Sequence, residues 1–205
     1  MRGPVTIAVT GPFASGKSTL VRLLGELPDT ETASADEIVH HLLKNDQKAI
    51  ARIIDRFGEG VRGPDGIDRK ALGREVFGDG EALQDLEEIL HPLVRSETDR
   101  RIEVSEARMF VVEIPLLFEA GRGADFDYTV AVTVPEERRR AWSEERGVDD
   151  AALEAIESRQ LTGGEKAGRA DLVVQNDGDL DRLREQAEGI GRGILCERGQ
   201  HGDLR

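Results

Sequence analysis

Several residue types are scarce in this chain of 205 residues, and each scarcity argues against a particular kind of structure or partner. The single cysteine, Cys196, excludes an internal disulfide and fits a reducing compartment. No apolar run approaches the length of a membrane-spanning helix, and the apolar start at 5–9 is too short for a signal peptide. The sequence therefore predicts a cytoplasmic protein that has no membrane partner.

Stacking side chains and positive charge are also in short supply. The chain has one tryptophan and one tyrosine, and its net charge is -13. A nucleic-acid surface needs basic residues for the phosphates and aromatic rings for the bases, so nucleic acid is not an expected partner. The histidines lack cysteine or carboxylate partners at ligand spacing, which argues against a zinc site.

Glycine is abundant, and its placement near the start of the chain is informative. An apolar run at 5–10 predicts a β-strand that ends at Gly11. Gly11, Gly16, Lys17 and Ser18 then complete the pattern G-x-x-x-x-G-K-[ST], and leucines at helical spacing predict a helix over 17–27. Strand, glycine-bounded loop and helix follow each other in the order of a phosphate-binding P-loop.

The residue types of this loop suit a nucleoside triphosphate. Backbone N–H groups at a helix N-terminus attract phosphate oxygens, and Gly16 lets the backbone approach them without a Cβ in the way. Lys17 would place its charge on the β- and γ-phosphates, and the Ser18 hydroxyl would bind Mg²⁺. The sequence therefore predicts ATP and Mg²⁺ as ligands.

Hydrophobic periodicity divides the rest of the chain into strands and helices. Further strands are predicted at 31–35, 109–114, 128–134 and 170–174. Further helices are predicted at 38–43, 49–57, 69–77, 81–90, 92–108, 136–147, 149–160 and 180–190. Pro92 is expected in the first turn of its helix. Asp68 could cap the helix that starts at Arg69, and Ser34 with Glu37 has the spacing of a capping box.

Strands that alternate with helices predict an α/β three-layer P-loop NTPase fold with a mostly parallel sheet. We expect one kinase domain over 1–190 and a frayed C-terminal tail over 191–205. Within the domain, the nucleotide core is predicted at 1–34, 109–134 and 170–190. A helical substrate-binding insertion is predicted at 35–108, and a helical lid at 135–169.

Residues just after the strands should carry the chemistry, because ligands of such sheets bind at the carboxyl ends of the strands. Asp36 follows the second strand and could accept the proton of an attacking hydroxyl, although it could also serve only in the helix cap. Glu113 ends a buried strand and could hold Mg²⁺, the alternative being a solvated strand end. Asn176 follows the last strand.

The charged helix at 136–147 could supply an arginine that stabilises transferred phosphate charge. Arg140 is the preferred candidate and Arg146 the second, and an ordinary solvated helix surface is the alternative for both. His91 fits a structural or substrate-contacting role better than a catalytic one.

The ordered motifs of the chain resemble those of the dephospho-coenzyme A kinase family from about Thr6 to Ile190. The segments that carry the resemblance are TGPFASGKSTL (10–20), SADEIVHHLL (34–43), GIDRKALGREVF (66–77), LEEILHPLV (86–94), VVEIPLLFEAG (111–121), QLTGGEK (160–166) and ADLVVQN (170–176). The resemblance implies transfer of the γ-phosphate of ATP to the ribose 3′-hydroxyl of dephospho-coenzyme A, with Mg²⁺, in the last step of coenzyme A synthesis.

The resemblance also implies roles for individual residues. The catalytic residues would be Lys17, Arg140 and Asp36, and Asp36 would act as the base. ATP would be bound by Gly11, Ala14, Ser15, Gly16, Lys17, Ser18, Thr19 and Asn176, the last near adenine. Asp36, Asp68, Arg69, His91, Pro92 and Glu113 would serve the acceptor side, and Ser18 and Glu113 would hold the metal. The partners would be small molecules only, and the protein a monomer or a weak homo-oligomer.

The chain departs from the family pattern in its P-loop and lid. Pro12, Phe13 and Ala14 stand where the family is usually richer in glycine, and Arg140 and Arg146 are further apart than the family's R-x(3)-R. Two alternatives therefore stay open at the level of sequence: a related nucleoside or nucleotide kinase, and an ATP-binding regulatory protein with weak turnover.

Overall fold

The structure is a computed structural model that describes residues 3–202, with side chains described for 3–196. Its strands are β1 (Val5–Thr10), β2 (Thr30–Ser34), β3 (Arg62–Gly63), β4 (Gly66–Ile67), β5 (Met109–Glu113), β6 (Tyr128–Thr133) and β7 (Leu172–Gln175). Its α-helices are α1 (Lys17–Gly25), α2 (Ala35–Asn45), α3 (Gln47–Phe57), α4 (Arg69–Val76), α5 (Gly80–Val104), α6 (Glu136–Glu145), α7 (Asp150–Glu157), α8 (Gly163–Ala167) and α9 (Leu180–Gly202). Short 3-10 helices lie at Glu59–Val61 and Gly123–Asp125.

A five-stranded sheet has the order β2-β5-β1-β6-β7. β1 pairs in parallel with β5 and β6, and β6 pairs in parallel with β7. All five residues of β5 are buried, as expected for a strand that is covered on both faces. The predicted α/β fold with a mostly parallel sheet is therefore confirmed.

The chain divides into two compact units. The first, which we call the sheet unit, comprises Met1–Thr32 and Ser105–Arg205, of which 3–32 and 105–202 are described. The second, the helical unit, comprises Ala33–Val104. In the sheet unit, buried apolar side chains of the strands pack against the buried faces of α1 and α9; among them are Ile7, Val9, Leu20, Leu24, Val111, Val130 and Leu183.

The helical unit has its own small core, formed by Leu43, Ile50, Ile53, Val61, Ile67, Leu72, Ile89 and Leu90. Two of these side chains come from 58–66 and its border, where the sequence predicts only a loop. The structure places there a 3-10 helix and the antiparallel pair β3–β4, in which Arg62 lies opposite Ile67. The pair is two residues long on each side, too short to leave a periodic pattern in the sequence.

Helix α5 corrects the prediction that separate helices cover 81–90 and 92–108. It runs without a break from Gly80 to Val104 with Pro92 in its interior. An interior proline removes one backbone hydrogen bond and normally breaks or kinks a helix. Here buried side chains on both sides of the proline, Ile89 and Leu90 before it and Val94 after it, anchor both halves in the helical unit.

Helix α9 corrects the prediction that the last helix ends at Ile190 and that a frayed tail follows. The helix continues to Gly202, and only 203–205 of the predicted tail lie outside the described residues. Leu183, Ala187 and Ile194 are buried on one face in the sheet-unit core. A Cβ at Gly191 would lie 2.4 Å from Leu27 Cδ1, so this glycine permits close packing rather than disorder.

Two helix starts also differ from the prediction. Ser34 is the N-cap residue of α2, but its side chain makes no capping hydrogen bond, so the predicted capping box with Glu37 does not form. A capping box is present instead at α8, where Thr162 and Glu165 bond to each other's backbone N–H groups. α8 has five residues, and the sequence predicts only a break at that place.

Candidate nucleotide and metal site

The loop between β1 and α1 has the backbone of a phosphate-binding turn. Gly16, the N-cap residue of α1, has φ 90° and ψ 18°, in the left-handed region that favours glycine. A Cβ at Gly16 would lie 2.1 Å from the side-chain nitrogen of Asn176. Both the backbone angle and the close neighbour therefore require glycine at this position.

Two further loop residues, Ala14 and Ser15, are buried although they belong to a loop. Ala14 has φ 55°, a conformation that costs energy for a residue with a Cβ. The Ser15 hydroxyl is buried and has no hydrogen-bond partner within the described structure. Strain and an unsatisfied polar group together are typical of a loop that is shaped for a ligand.

Lys17 is nearly buried and lies across the loop. Its Nζ donates a hydrogen bond to the carbonyl oxygen of Pro12 at 2.9 Å. The side chain is therefore held against the loop that it would serve, where a phosphate-binding lysine is needed.

Ser18 and Glu113 are 95 positions apart in the sequence and are brought together by the parallel pairing of β1 with β5. The Ser18 hydroxyl donates to Glu113 Oε1 at 3.0 Å, and the Glu113 side chain is buried. A hydroxyl and a carboxylate are hard oxygen ligands of the kind that Mg²⁺ prefers. The pair therefore fits a magnesium site in which phosphates and water supply the remaining ligands.

No group of three or more His, Cys, Asp or Glu side chains that could hold a metal occurs in the described part of the chain. An ion bound only by protein side chains is thus not favoured there. Mg²⁺ commonly keeps water and binds through one or two side chains and the substrate's phosphates, which agrees with the pair Ser18 and Glu113.

Asn176 holds the P-loop backbone in place. Its side-chain nitrogen donates to the carbonyl oxygen of Ser15 at 3.0 Å, and its backbone nitrogen donates to Thr133 at 2.8 Å. The residue is buried at the end of β7. Its position next to the loop agrees with a place in the nucleotide site, and its structural task there is not visible in the sequence.

A cavity of about 230 Å³ opens beside the P-loop, and we call it the nucleotide cavity. Its lining includes Gly16, Thr19, Trp142, Arg146, Asn176 and Gly178. Gly16 and Thr19 belong to the P-loop and the first turn of α1, while the single tryptophan of the chain provides a flat apolar surface. The cavity thus joins phosphate-binding backbone to a surface that suits a base.

Charged residues of the predicted lid form ion pairs with one another. Arg140 lies on the exposed surface of α6, where it pairs with Glu136 at 3.0 Å and Asp150 at 3.4 Å. Arg139 is buried and pairs with Glu136 and Glu157. Both arginines have pKa values raised above the ordinary one. The pKa of Arg140 is raised mainly by the hydrogen bond that it donates to Glu136. Burial acts to lower the pKa of Arg139, but its hydrogen bonds and ion pairs with Glu136 and Glu157 outweigh that effect.

Lys166 is a buried residue of this region to which sequence reasoning assigned no role. Its Nζ donates to the carbonyl oxygen of Pro115 at 2.5 Å and pairs with Glu119 at 2.9 Å. Burial lowers the pKa of Lys166, and the ion pair with Glu119 opposes that shift. The Pro115 carbonyl also accepts from Thr10, so this network ties the residues after Glu113 to the entrance of the P-loop. In the sequence, the residues of this network are marked only by their place in two of the segments that carry the family resemblance, 111–121 and 160–166.

The candidate residues of the helical unit are exposed. Asp36 lies in the first turn of α2, and His91 and Pro92 lie on the surface of α5. Asp68 is the N-cap of α4 and accepts hydrogen bonds from the backbone of Ala71 and Lys70, which lower its pKa. Arg69 begins that helix and is exposed. The structure thus confirms the predicted cap at Asp68.

In a parallel sheet, the first strand leads through a glycine-bounded loop into α1. Lys17 is hydrogen-bonded to that loop, and Ser18 to the strand-end carboxylate of Glu113. These features define a P-loop kinase. A family model described as dephospho-CoA kinase matches residues 5–182. The chain belongs to the dephospho-CoA kinase family.

Individual relatives agree with the family model. The dephospho-CoA kinase of Symbiobacterium thermophilum is 42% identical over 191 residues, which cover 91% of this chain and 80% of that protein. The crystal structure of TT1252 from Thermus thermophilus has a TM-score of 0.78 at 33% identity and covers 96% of this chain and 98% of that one. Dephospho-CoA kinase from Campylobacter jejuni has a TM-score of 0.62 at 26% identity, over 92% of this chain and 96% of that one.

Residues 3–202 include no helix that is both long enough and apolar enough to cross a membrane.

Proposed function

We propose that this protein transfers the γ-phosphate of ATP to the ribose 3′-hydroxyl of dephospho-coenzyme A, giving coenzyme A and ADP. The observation that carries the proposal is the hydrogen bond between Ser18 and Glu113, next to Lys17 at the start of α1. These are the groups that a P-loop kinase needs around a triphosphate, and they occur in a chain of the dephospho-CoA kinase family.

The nucleotide side of the mechanism uses groups that already have fixed positions. Backbone N–H groups from Ala14 to Thr19 would bind the phosphates, and Lys17 would leave the Pro12 carbonyl for a phosphate oxygen. A Mg²⁺ ion held by Ser18 and Glu113 would neutralise charge on the phosphates. Asn176 would keep the loop backbone in the binding conformation through its bond to Ser15.

On the acceptor side, Asp36 would accept the proton of the 3′-hydroxyl. The hydroxyl oxygen forms a bond to the γ-phosphorus, and the bond between that phosphorus and the bridging oxygen of the β-phosphate breaks. The electron pair of that bond leaves with ADP. Asp68, Arg69, His91 and Pro92 are proposed to bind and orient dephospho-coenzyme A, with Asp68 acting through the start of α4 that it caps.

A coupled assay of ADP release tests the proposal. Dephospho-coenzyme A, adenosine and AMP are supplied in turn with ATP and Mg²⁺, and turnover is expected with dephospho-coenzyme A alone. Asp36→Ala is expected to lower kcat by about 10²- to 10⁴-fold, the usual contribution of a general base. The proposal fails if ATP binds but no ADP forms with dephospho-coenzyme A, or if Asp36→Ala keeps full activity.

Product analysis completes the assay. The phosphate must appear on the 3′-oxygen of the ribose, which phosphorus NMR of the product distinguishes from the 2′-oxygen. Omission of Mg²⁺ should abolish turnover if the metal role of Ser18 and Glu113 holds. A cytoplasmic location and a monomeric or weakly associated state remain predictions that this assay does not address.

A further inference from the structure

Lys166 is the largest of the fully buried side chains in the described part of the chain, and its ammonium group contacts the segment that follows β5. Its Nζ donates to the carbonyl oxygen of Pro115 at 2.5 Å and pairs with Glu119 at 2.9 Å. Replacing a buried ion pair by apolar side chains of similar size is often neutral or stabilising, so stability alone does not explain a charge at this place. The charge is better explained by the groups that it holds in place.

The segment that Lys166 holds begins directly after Glu113, the carboxylate that accepts from Ser18. The carbonyl oxygen of Pro115, two residues beyond Glu113, accepts from Lys166 and also, at 3.1 Å, from the hydroxyl of Thr10. A carbonyl oxygen has two lone pairs, and two donors use both of them. Pro115 is therefore fixed from two sides.

The same segment is bonded to the strand that leads into the P-loop. Thr10 is the fully buried last residue of β1, and the Ile114 N–H donates to the carbonyl oxygen of Val9 at 2.9 Å. Glu113 comes just before these bonds and reaches Ser18 on the other side of the loop. The position of Glu113 relative to Ser18 thus depends on how residues 113–115 lie against the end of β1.

Helix α8, which carries Lys166, also contacts the P-loop directly. A Cβ at Gly163 would lie 3.5 Å from Pro12 Cγ, so the first residue of α8 packs on the ring of that proline. The capping box of Thr162 and Glu165 fixes the start of the helix, and the helix packs against β6. Lys166 therefore extends from a fixed helix to the segment after Glu113.

We propose that Lys166 is a positioning residue of the magnesium site, which acts through the carbonyl of Pro115 to hold Glu113 where it and Ser18 can bind one Mg²⁺ ion. The inference rests on the proposed function in taking Mg²⁺ and ATP as the ligands. It explains why an ammonium group is buried at a place that apolar side chains could fill.

Calorimetric titration of ATP, once with Mg²⁺ and once with EDTA in its place, tests this role without an acceptor. The factor by which Mg²⁺ lowers the Kd of ATP, which we call the magnesium factor, measures the contribution of the metal to binding. Lys166→Met with Glu119→Leu, which leaves no buried charge unpaired, should lower the magnesium factor about tenfold, the low end of the range for losing a group that positions a metal ligand. Glu113→Gln should lower it at least as much, and combining all three substitutions should lower it no further.

Two threonine variants test the same point without a change of charge. Thr10→Val removes the second donor to the Pro115 carbonyl and should lower the magnesium factor by about 2- to 5-fold, less than loss of the charged donor. Thr129→Val is the matched control, because Thr129 is also a buried strand residue, and its hydroxyl donates to Asp171 at 2.7 Å, near the start of β6. It should cost stability, measured by urea unfolding, and leave the magnesium factor unchanged.

The inference is overturned if Lys166→Met with Glu119→Leu keeps the wild-type magnesium factor, because Lys166 would then serve stability alone. It is also overturned if Mg²⁺ does not tighten ATP binding to the wild type, or if the effects of the double variant and Glu113→Gln simply add. If the double variant does not fold, Thr10→Val decides, and an unchanged magnesium factor in that variant overturns the inference. A wild type in which Mg²⁺ tightens ATP binding but dephospho-coenzyme A is not phosphorylated would contradict the proposed function and leave this inference standing.

Discussion

The candidate residues of the sheet unit and those of the helical unit differ in burial and in hydrogen bonding. In the sheet unit, Lys17, Glu113 and Asn176 are buried and each has a hydrogen bond within that unit. In the helical unit, Asp36, His91 and Arg69 are exposed. Contacts within the protein thus fix the residues proposed for the nucleotide, whereas the side chains proposed for the acceptor are exposed to solvent.

This difference has a physical cause. A loop that binds a triphosphate must hold many N–H groups in one arrangement, and buried contacts fix that arrangement before the ligand arrives. Exposed side chains lose rotamer freedom and bound water when they bind a ligand. The free energy of binding that they contribute therefore depends on the contacts that the acceptor offers. Substitutions in the sheet unit should therefore change stability and ATP binding, and those in the helical unit should have smaller or acceptor-dependent effects.

The largest effect on stability is expected at the buried ion pair of the sheet unit. Lys166→Met removes the buried ammonium partner of Glu119, whose side chain is 17% exposed and still accepts from the Leu161 N–H, and should lower the free energy of unfolding by about 3 kcal/mol. Urea unfolding measures the loss. The double variant Lys166→Met with Glu119→Leu should recover much of it, because no buried charge is then unpaired. A loss below about 1 kcal/mol in the single variant would contradict a sheet unit held by buried polar contacts.

Lys17→Ala should lower kcat/KM for ATP by about 10²- to 10³-fold, the usual cost of removing one preorganised group from developing charge. The same substitution should weaken ATP binding, whereas Asp36→Ala should leave ATP binding unchanged. Steady-state kinetics and calorimetry give the two numbers. Lys44→Ala, an exposed lysine on α2, is the matched control. Equal losses of ATP affinity for Lys17→Ala and Asp36→Ala would remove the distinction between the two units.

The sequence predicts the sheet unit better than the helical unit, and the reason is periodicity. Buried parallel strands such as β1, β5 and β6 are continuous apolar runs, and the P-loop has a fixed pattern of residue types, so both are visible without a structure. The contact between Ser18 and Glu113 follows from the same logic, because Ser18 lies in the first turn of the helix that follows β1, and Glu113 ends the neighbouring strand β5.

The errors arise where tertiary packing overrides a local signal. Pro92 predicts a helix start, yet buried residues on both sides keep α5 continuous. The glycines after Ile190 predict a frayed tail, yet Ile194 is buried and α9 continues. The contacts of Phe13 with Arg146 and of Lys166 with Pro115 join residues more than 40 positions apart, and no local pattern in the sequence reports such contacts.

A smaller effect is expected at a helix cap of the helical unit. The Asp46 side chain accepts hydrogen bonds from the backbone of Lys48 and Ala49, both at 2.9 Å. Asp46→Ala removes these bonds at the start of α3 and should cost about 1 kcal/mol, while Asp46→Asn should retain most of the stability. Urea unfolding of both variants tests this, and equal stabilities of the alanine and asparagine variants would show that the cap is not what stabilises α3.

The smallest effect is expected at the ion pairs of Glu97 on α5. Hydrogen bonds from Arg100 and then Arg101 hold the pKa of Glu97 at about 2, below its ordinary 4.5. Because the folded-state pKa is the lower one, the stabilisation is present above pH 4.5 and is lost as the pH falls toward 2.

Arg100 is mostly exposed, so solvent screening limits this contribution to less than about 1 kcal/mol. Glu97→Gln should therefore flatten the decline of unfolding free energy between pH 4.5 and 2 by that small amount, and leave stability at pH 7 lower by the same amount. Urea unfolding at several pH values measures both. A decline as steep in Glu97→Gln as in the wild type would mean that exposed ion pairs contribute nothing to the helical unit. Its acid sensitivity would then come from other carboxylates, and the contrast with the buried pair of Lys166 and Glu119 would be sharper still.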